Sequence, residues 1–258
     1  MTFARLTAIL LIAVAGFLAV WYWRNAMHAE LPAETAMLPA ECQDMTFEGS
    51  AFIACTISPA EYDISLRRTG PDGKPLERLD RLAIDDGFVF AMNAGMYHED
   101  FAPVGLYVED GKELAPLNTG DAAGNFFMKP NGVFFVTRDG KAGLLETTSF
   151  AAARPDVAHA TQSGPMLVID GAIHPRFEPD GQSRYIRNGI GVDGSGRAVF
   201  AISRGEVSLG KFARLYRHAL GCRNALFFDG AISALYGGKR YVVGGTFPVG
   251  PSVVVRRR

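Results

Sequence analysis

Cysteine is scarce in this chain, with three in 258 residues. No Cys-x-x-Cys or His-x-x-x-His spacing occurs, so a structural zinc site is not indicated. Net charge is almost absent too: 26 Lys and Arg against 27 Asp and Glu give −1. The one basic run is Arg256-Arg257-Arg258 at the end of the chain, too little to gather nucleic acid. The histidines are scattered, and His98, His159, His174 and His218 have no partners at a diagnostic spacing, which points to surface or structural roles.

What is present is apolar: 48% of the residues are hydrophobic, enough for one sizeable core. From Leu6 to Trp23 the chain carries no charge, with Arg5 before it, Arg24 after it and Trp21-Tyr22-Trp23 forming an interfacial aromatic belt at its end. Residues 1–24 therefore read as an uncleaved anchor, with a cleaved signal as the alternative. The rest of the chain is then expected on the exported side of a bacterial inner membrane, in the periplasm. Residues 25–45, rich in Ala, Pro and Glu without a period, read as a tether, and 46–255 as a single domain. In an exported chain Cys42 and Cys55 are expected to be bonded and Cys222 to be a buried thiol.

Strand signals dominate that domain. "FIACTI", "YDISLRR" and "GFVFAMNAGMY" are apolar or alternating runs, and later segments repeat strand, Asp-Gly turn and returning strand around Asp110, Asp139, Asp170 and Asp193. The clearest helix is "SLGKFARLYRHALG", with Ser208 as N-cap, Phe212, Leu215, Tyr216 and Ala219 on one face, and Gly221 as the stop. The expected fold class is α+β, with mixed but largely antiparallel sheets and one packed C-terminal helix.

Asp229 raises the central question. It is one of eight Asp-Gly pairs, a dipeptide suited to type I′ hairpin turns, so a plain turn is the first reading. It follows the buried run Ala225-Leu226-Phe227-Phe228, however, and precedes the small-residue stretch "AISALY" rather than a polar returning strand. Small residues there let another group approach closely. Four further segments join polar side chains to glycine beside apolar strands: "MNAGMY", "KPNGVFF", "QSGPML" and "RNGIGV". Taken singly, Asn131-Gly132 and Asn188-Gly189 read as turn pairs and Ser163-Gly164-Pro165 as a loop.

Taken in order, "MNAGMY", "PVGLYVEDG", "GNFFMKPNGVF", "QSGPMLVIDG", "RNGIGV" and "NALFFDGAISALY" resemble the phosphodiester glycosidase family, relatives of the mammalian uncovering enzyme. The resemblance spans Tyr62 to Val255 and is closer to the short bacterial members. It departs after Asp229, where the mammalian type has a Gly-rich run and this chain has Gly230-Ala231-Ile232-Ser233. It implies hydrolysis of a sugar-1-phosphodiester or a related envelope glycan linkage. Such cleavage develops oxocarbenium character at the sugar and negative charge on the departing phosphate, so a carboxylate and cationic or N–H donors are needed.

Asp229 is the candidate carboxylate and Arg187 the first candidate phosphate clamp, with Lys129 and Arg204 behind it. Asn93 and Gln162 are candidates for sugar hydroxyls, and Tyr97 for a platform or donor. Asn131, Ser163, Asn188 and Ser233 complete the expected substrate-binding set. Glu206 is an alternative second carboxylate, although its place before Ser208 suits helix N-terminal stabilisation better. No cofactor is expected, while a divalent cation at Asp100 and Asp121 stays open. Two rival functions remain: a cation-dependent phosphodiesterase and a non-catalytic envelope carbohydrate-binding protein.

Overall fold

The computed structural model describes residues 38–258. The expected membrane segment at 1–24 and most of the tether lie outside the described residues, among which no helix is long and apolar enough to cross a membrane.

Three sheets build the domain. The first has seven strands in the order β1 (Cys42–Phe47), β2 (Ser50–Ile57), β13 (Ala198–Ser203), β12 (Asn188–Asp193), β14 (Cys222–Phe227), β10 (Met166–Ile169) and β11 (Ala172–Ile173). The second runs β16 (Arg240–Val243), β15 (Leu235–Gly237), β4 (Phe88–Asn93), β17 (Ser252–Arg257) and β3 (Tyr62–Arg67). The third runs β6 (Lys112–Ala115), β5 (Tyr107–Glu109), β9 (Val157–Ser163), β7 (Gly132–Thr137) and β8 (Ala142–Glu146). Every strand pair among the described residues is antiparallel, so the expected mixture reduces to its antiparallel part.

The seven-stranded sheet is covered on both faces. On one face Ile53, Ile190, Phe200, Ile202, Leu226 and Phe228 join Phe90, Met92, Phe134 and Val253 from the other sheets in the main core. On the other, Phe52, Val199, Ala201, Ala225 and Phe227 pack against the helix. The alternation of Ala225, Leu226, Phe227 and Phe228 between the two faces follows from the two-residue period of a strand. Each fully buried Phe contributes about 2 kcal/mol by area.

The helical segment is short. Helix α1 (Thr147–Ala153) caps the third sheet, and α2 (Leu209–Arg214) continues as a π-helical turn over Leu215–Ala219. Ser208 caps α2 by accepting a bond from the Lys211 N–H (3.1 Å), and Gly221 follows the segment at φ 65°. The glycines of β12 have no room for a side chain. A Cβ on Gly189 would stand 2.5 Å from the Leu226 carbonyl oxygen of neighbouring β14 and 3.3 Å from Phe212 of the helix, and one on Gly191 2.6 Å from Cys222 Sγ on β14 and 3.0 Å from Tyr216. Asn188-Gly189 opens strand β12 and is not the turn its dipeptide suggests. Gly132 likewise opens β7 rather than ending a turn after Asn131.

Cys42 and Cys55 are bonded across β1 and β2, and Cys222 is a buried free thiol. The pairing puts β1 four residues inside the stretch assigned to the tether, since Cys42 already belongs to the sheet.

Candidate active site

Asp229 lies where two sheets meet. Its strand β14 leaves the seven-stranded sheet as the Phe228 N–H donates to the Asn188 carbonyl (3.1 Å), and the Asp229 N–H then donates to the carbonyl of Ala94, just past β4 in the second sheet (3.2 Å). Asp229 has φ −79° and ψ 96°, and Gly230 opens a 3-10 turn, Gly230–Ile232. In the Asp110-Gly111 and Asp170-Gly171 hairpins all four residues have φ between 47° and 89°. Asp229-Gly230 is therefore not a hairpin turn. Gly230 is small for another reason: its Cβ would meet the Phe227 ring at 2.5 Å.

Three buried side chains fix this junction. Asn93 Nδ2 donates to the Asp229 carbonyl (2.9 Å), and Asn93 Oδ1 accepts from the Ala234 N–H (2.8 Å) and from Asn188 Nδ2 (2.9 Å). Asn188 Nδ2 also donates to the Asn93 carbonyl (2.8 Å), while Ser233 Oγ lies 3.1 Å from Asn188 Oδ1 and 3.0 Å from the Ile186 carbonyl. The network binds the ends of β4, β12 and β14 to the start of β15. Leaving one such buried group unpaired costs about 1–3 kcal/mol, so the Asp229 backbone is rigidly held.

Arg187, which precedes Asn188, is 1% exposed. Its Nε donates to the Val207 carbonyl and its Nη2 to the Ser183 carbonyl, both at 2.8 Å. The guanidinium carbon stands 5.2 Å from the centre of the Phe227 ring and 5.5 Å from that of Tyr185. It forms no ion pair among the described residues, and burial pulls its pKa down to about 10, still charged at neutral pH. A buried cation held by carbonyls and ring faces, without a carboxylate, favours negative charge nearby.

Tyr97 approaches from the segment after β4. Its hydroxyl donates to the Pro248 carbonyl (2.7 Å) and its ring stacks on Phe101 at 5.5 Å. Burial, and secondly the Asp229 charge, push its pKa up to about 12, so it remains a donor. Beside the junction opens a cavity of about 370 Å³, bordered by Tyr185, Glu206, Gly230, Ser233, Thr246 and Phe247. Ser208 supplies the side-chain cap of α2, and Glu206 borders this cavity. Tyr185, Thr246 and Phe247 gave no signal beyond "GGTFP", a glycine pair before an aromatic residue and a proline.

The remaining candidates sit apart from this network. Gln162 has its four hydrogen-bonding positions filled by the N–H groups of Leu106 and Asn118, the Asn118 carbonyl and Thr147 Oγ1. Thr147 bonds on to Asn131 Oδ1 (2.8 Å), and Asn131 Nδ2 to the Phe126 carbonyl (3.0 Å). Ser163 is fully buried with no partner for its Oγ among the described residues. This knot touches the 93–97 segment at Gly95, whose Cβ would lie 2.5 Å from the Gln162 carbonyl. Lys129 pairs with exposed Asp121 (2.6 Å), and Arg204 with Asp44 on β1 (2.7 Å). Asp100 accepts from the Ala102 N–H, and no group of three or more possible metal-ligating acids, histidines or cysteines occurs among the described residues.

A family model described as phosphodiester glycosidase matches residues 86–255, which contain every element of the junction. The chain belongs to the phosphodiester glycosidase family. It is 37% identical over 187 residues to the Escherichia coli (strain K12) protein named "Uncharacterized protein YigE", covering 71% of this chain and 73% of that one. Its fold is similar to the zebrafish N-acetylglucosamine-1-phosphodiester α-N-acetylglucosaminidase catalytic domain auto-inhibited by its pro-peptide. That likeness has a TM-score of 0.61 at 14% identity, over 84% of this chain and 82% of that one. A hypothetical protein from Synechocystis matches with a TM-score of 0.59 at 15% identity, over 84% of this chain and 61% of that one. At these identities the two structures speak for the fold alone, and the fold of this family is the one described above.

Proposed function

We propose that this chain hydrolyses the bond between sugar C1 and the bridging oxygen of a glycosyl phosphodiester, the oxygen leaving with the phosphate, with Asp229 as the carboxylate that meets the developing oxocarbenium ion. The observation that carries this reading is the removal of Asp229-Gly230 from turn geometry. Its main chain is bonded on both sides at a sheet junction, next to a cavity. A group held so firmly needs no reorganisation as charge develops, which is where electrostatic catalysis is strongest. The departing phosphate monoester is already a good leaving group, which reduces the demand for a general acid.

Arg187 acts in this reading through its field and through the segment it braces, since its Nε and Nη2 are bound to carbonyls. Tyr97, protonated and close to the Asp229 charge, donates its hydroxyl hydrogen bond to the Pro248 carbonyl and so ties the segment after β4 to the one that carries Phe247. N-acetylglucosamine, the sugar in the zebrafish enzyme's name, is the first substrate to offer. The Cys42–Cys55 disulfide supports an exported, periplasmic domain, because such bonds persist in oxidising compartments.

The test is hydrolysis in oxygen-18 water of an N-acetylglucosamine-1-phosphodiester carrying a p-nitrophenyl aglycone. Cleavage at C1 places the label in the sugar hydroxyl and releases p-nitrophenyl phosphate. Label in phosphate would establish the phosphodiesterase alternative, and binding without turnover the non-catalytic one.

A further inference from the structure

The cavity beside Asp229 has an unusual rim. Three large hydrophobic side chains are exposed among the described residues, Leu114, Tyr185 at 51% and Phe247 at 61%, and the last two border this one cavity. Exposed aromatic area forgoes burial energy that folding could have used, so two rings at one opening call for an occupant.

Both rings are presented by fixed backbone. Tyr185 forms a two-way bridge with Val207, its N–H donating to the Val207 carbonyl (3.4 Å) and the Val207 N–H to its own (2.9 Å). The Arg187 guanidinium stands near its ring. Phe247 follows Gly244 and Gly245, at φ 73° and 93°. A Cβ on Gly244 would fall 2.1 Å from the Ser233 carbonyl oxygen, and one on Gly245 2.6 Å from the Tyr241 ring. Beyond Phe247 the chain is pinned again, by the Tyr97 hydroxyl on the Pro248 carbonyl and by the Val249 N–H on the Glu77 carbonyl (2.8 Å). Phe247 is thus the tip of an arm anchored at both ends.

The electrostatics of the opening select its occupant. Glu206 is the one carboxylate on the rim, no Lys or Arg borders it, and Asp229 adjoins it through Gly230. A phosphate would meet the Glu206 charge here and no cation on the rim, since Arg187 lies behind the Tyr185 ring with its Nε and Nη2 bound to carbonyls. A pyranose ring presents C–H faces to aromatic rings and hydroxyls to an acceptor such as Glu206 or to the Thr246 hydroxyl.

The geometry points to a sugar cleft between Tyr185 and Phe247, which takes the neutral pyranose of the substrate, with Glu206 accepting from its hydroxyls, and leaves the phosphate and its aglycone outside. The inference rests on the glycosidase reading above and adds the direction in which the substrate lies. It makes the aromatic pair a determinant of KM, with little effect on the chemical step.

The experiment measures binding and turnover separately on the full chain. Binding of methyl N-acetyl-α-glucosaminide, methyl α-glucoside and dimethyl phosphate is followed by ligand-detected NMR in wild type, Tyr185→Ala, Phe247→Ala and Leu114→Ala. Steady-state kinetics with the nitrophenyl phosphodiester are run alongside, and thermal midpoints confirm folding. At least one glycoside should bind and dimethyl phosphate should not. Tyr185→Ala and Phe247→Ala should each weaken glycoside binding and raise KM about tenfold, with kcat changed less than threefold. Tyr185→Phe should restore both, and Leu114→Ala should be silent. Normal turnover with unchanged KM in both alanine variants would overturn the cleft and leave the glycosidase reading standing. Glycoside binding that the two variants abolish, with no turnover in wild type, would do the reverse. Failure of both glycosides to bind wild type overturns the cleft outright.

Discussion

The dipeptide Asp-Gly does two different things in this molecule. At Asp110-Gly111 and Asp170-Gly171 it closes hairpins, with both residues in left-handed geometry and the strands returning at once. At Asp229-Gly230 the same pair is extended and then 3-10, bound to a neighbouring sheet, and bordered by a cavity. The difference lies in what surrounds the pair. The hairpins need a turn that matches strand twist, which the dipeptide supplies, and neighbouring groups only add bonds to it, such as the Gly111 N–H to the Ala158 carbonyl and the Gly171 N–H to the Arg223 carbonyl, both 2.7 Å. The junction needs Asn93, Asn188 and Ser233, none of them close in sequence to the pair except the last. An aspartate can be held for chemistry only where other elements supply the holding.

Perturbing the support should separate the two settings. Asn188→Ala removes the partner of Asn93 and of Ser233, and is expected to cost about 3 kcal/mol of stability in denaturant unfolding, with activity lost as well. The Asp170 hairpin is bonded from outside as well, the Asp170 N–H donating to Asn224 Oδ1 (2.8 Å) and the Gly171 N–H to the Arg223 carbonyl (2.7 Å), but the Asn224 bond is exposed and its loss should cost less. The paired glycines come next. Gly230→Ala drives a methyl into the Phe227 ring and should cost about 2 kcal/mol. Gly171→Ala meets only backbone strain at φ 89° and should cost about 1 kcal/mol, leaving turnover intact.

How much of this was readable before the fold was known varies by level. Strand alternation, the hairpin turns at Asp110 and Asp170, the Ser208 cap and the Cys42–Cys55 bond follow from local pattern, and the structure carries them. Asn188-Gly189 misled as a turn, because its glycine answers to the Leu226 carbonyl on the paired strand β14 and, less tightly, to Phe212, contacts that local sequence does not encode. Gln162 looked like a sugar ligand, yet its partners at Leu106, Asn118 and Thr147 fill it. The Asn93–Asn188 bond joins residues 95 apart, and Tyr185 and Phe247 become a pair only when the chain brings them to one opening. Polar residues near glycine mark close packing as readily as binding, and only the fold separates the two.

A smaller effect tests the hairpin side. His159 is buried beside the Asp110 turn, its Nδ1 facing the N–H groups of Leu66 and Asp110 and its Nε2 3.6 Å from the Asp110 carboxylate. Burial lowers its pKa more than the Asp110 charge raises it, with Arg67 lowering and Asp63 raising it further; burial also lowers that of His174. A histidine with a lowered folded pKa takes up its proton more readily when unfolded, so acidification below about 6.5 favours the unfolded chain. The thermal midpoint should fall between pH 7 and pH 5, and less so in His159→Asn. An unchanged difference between wild type and variant across that range would remove the assignment to His159.

The most direct measurement compares Asp229→Asn with Asp170→Asn in the same assay of the nitrophenyl phosphodiester. Asn-Gly turns as well as Asp-Gly, so both substitutions spare a turn and only one removes a charge the reaction uses. Asp170→Asn should leave kcat and the thermal midpoint unchanged. Asp229→Asn should lower kcat by about a thousandfold or more, roughly 4 kcal/mol of transition-state stabilisation, at a nearly unchanged midpoint. Near-normal turnover in Asp229→Asn would contradict the account, and would return Asp229 to the structural role its seven counterparts suggest.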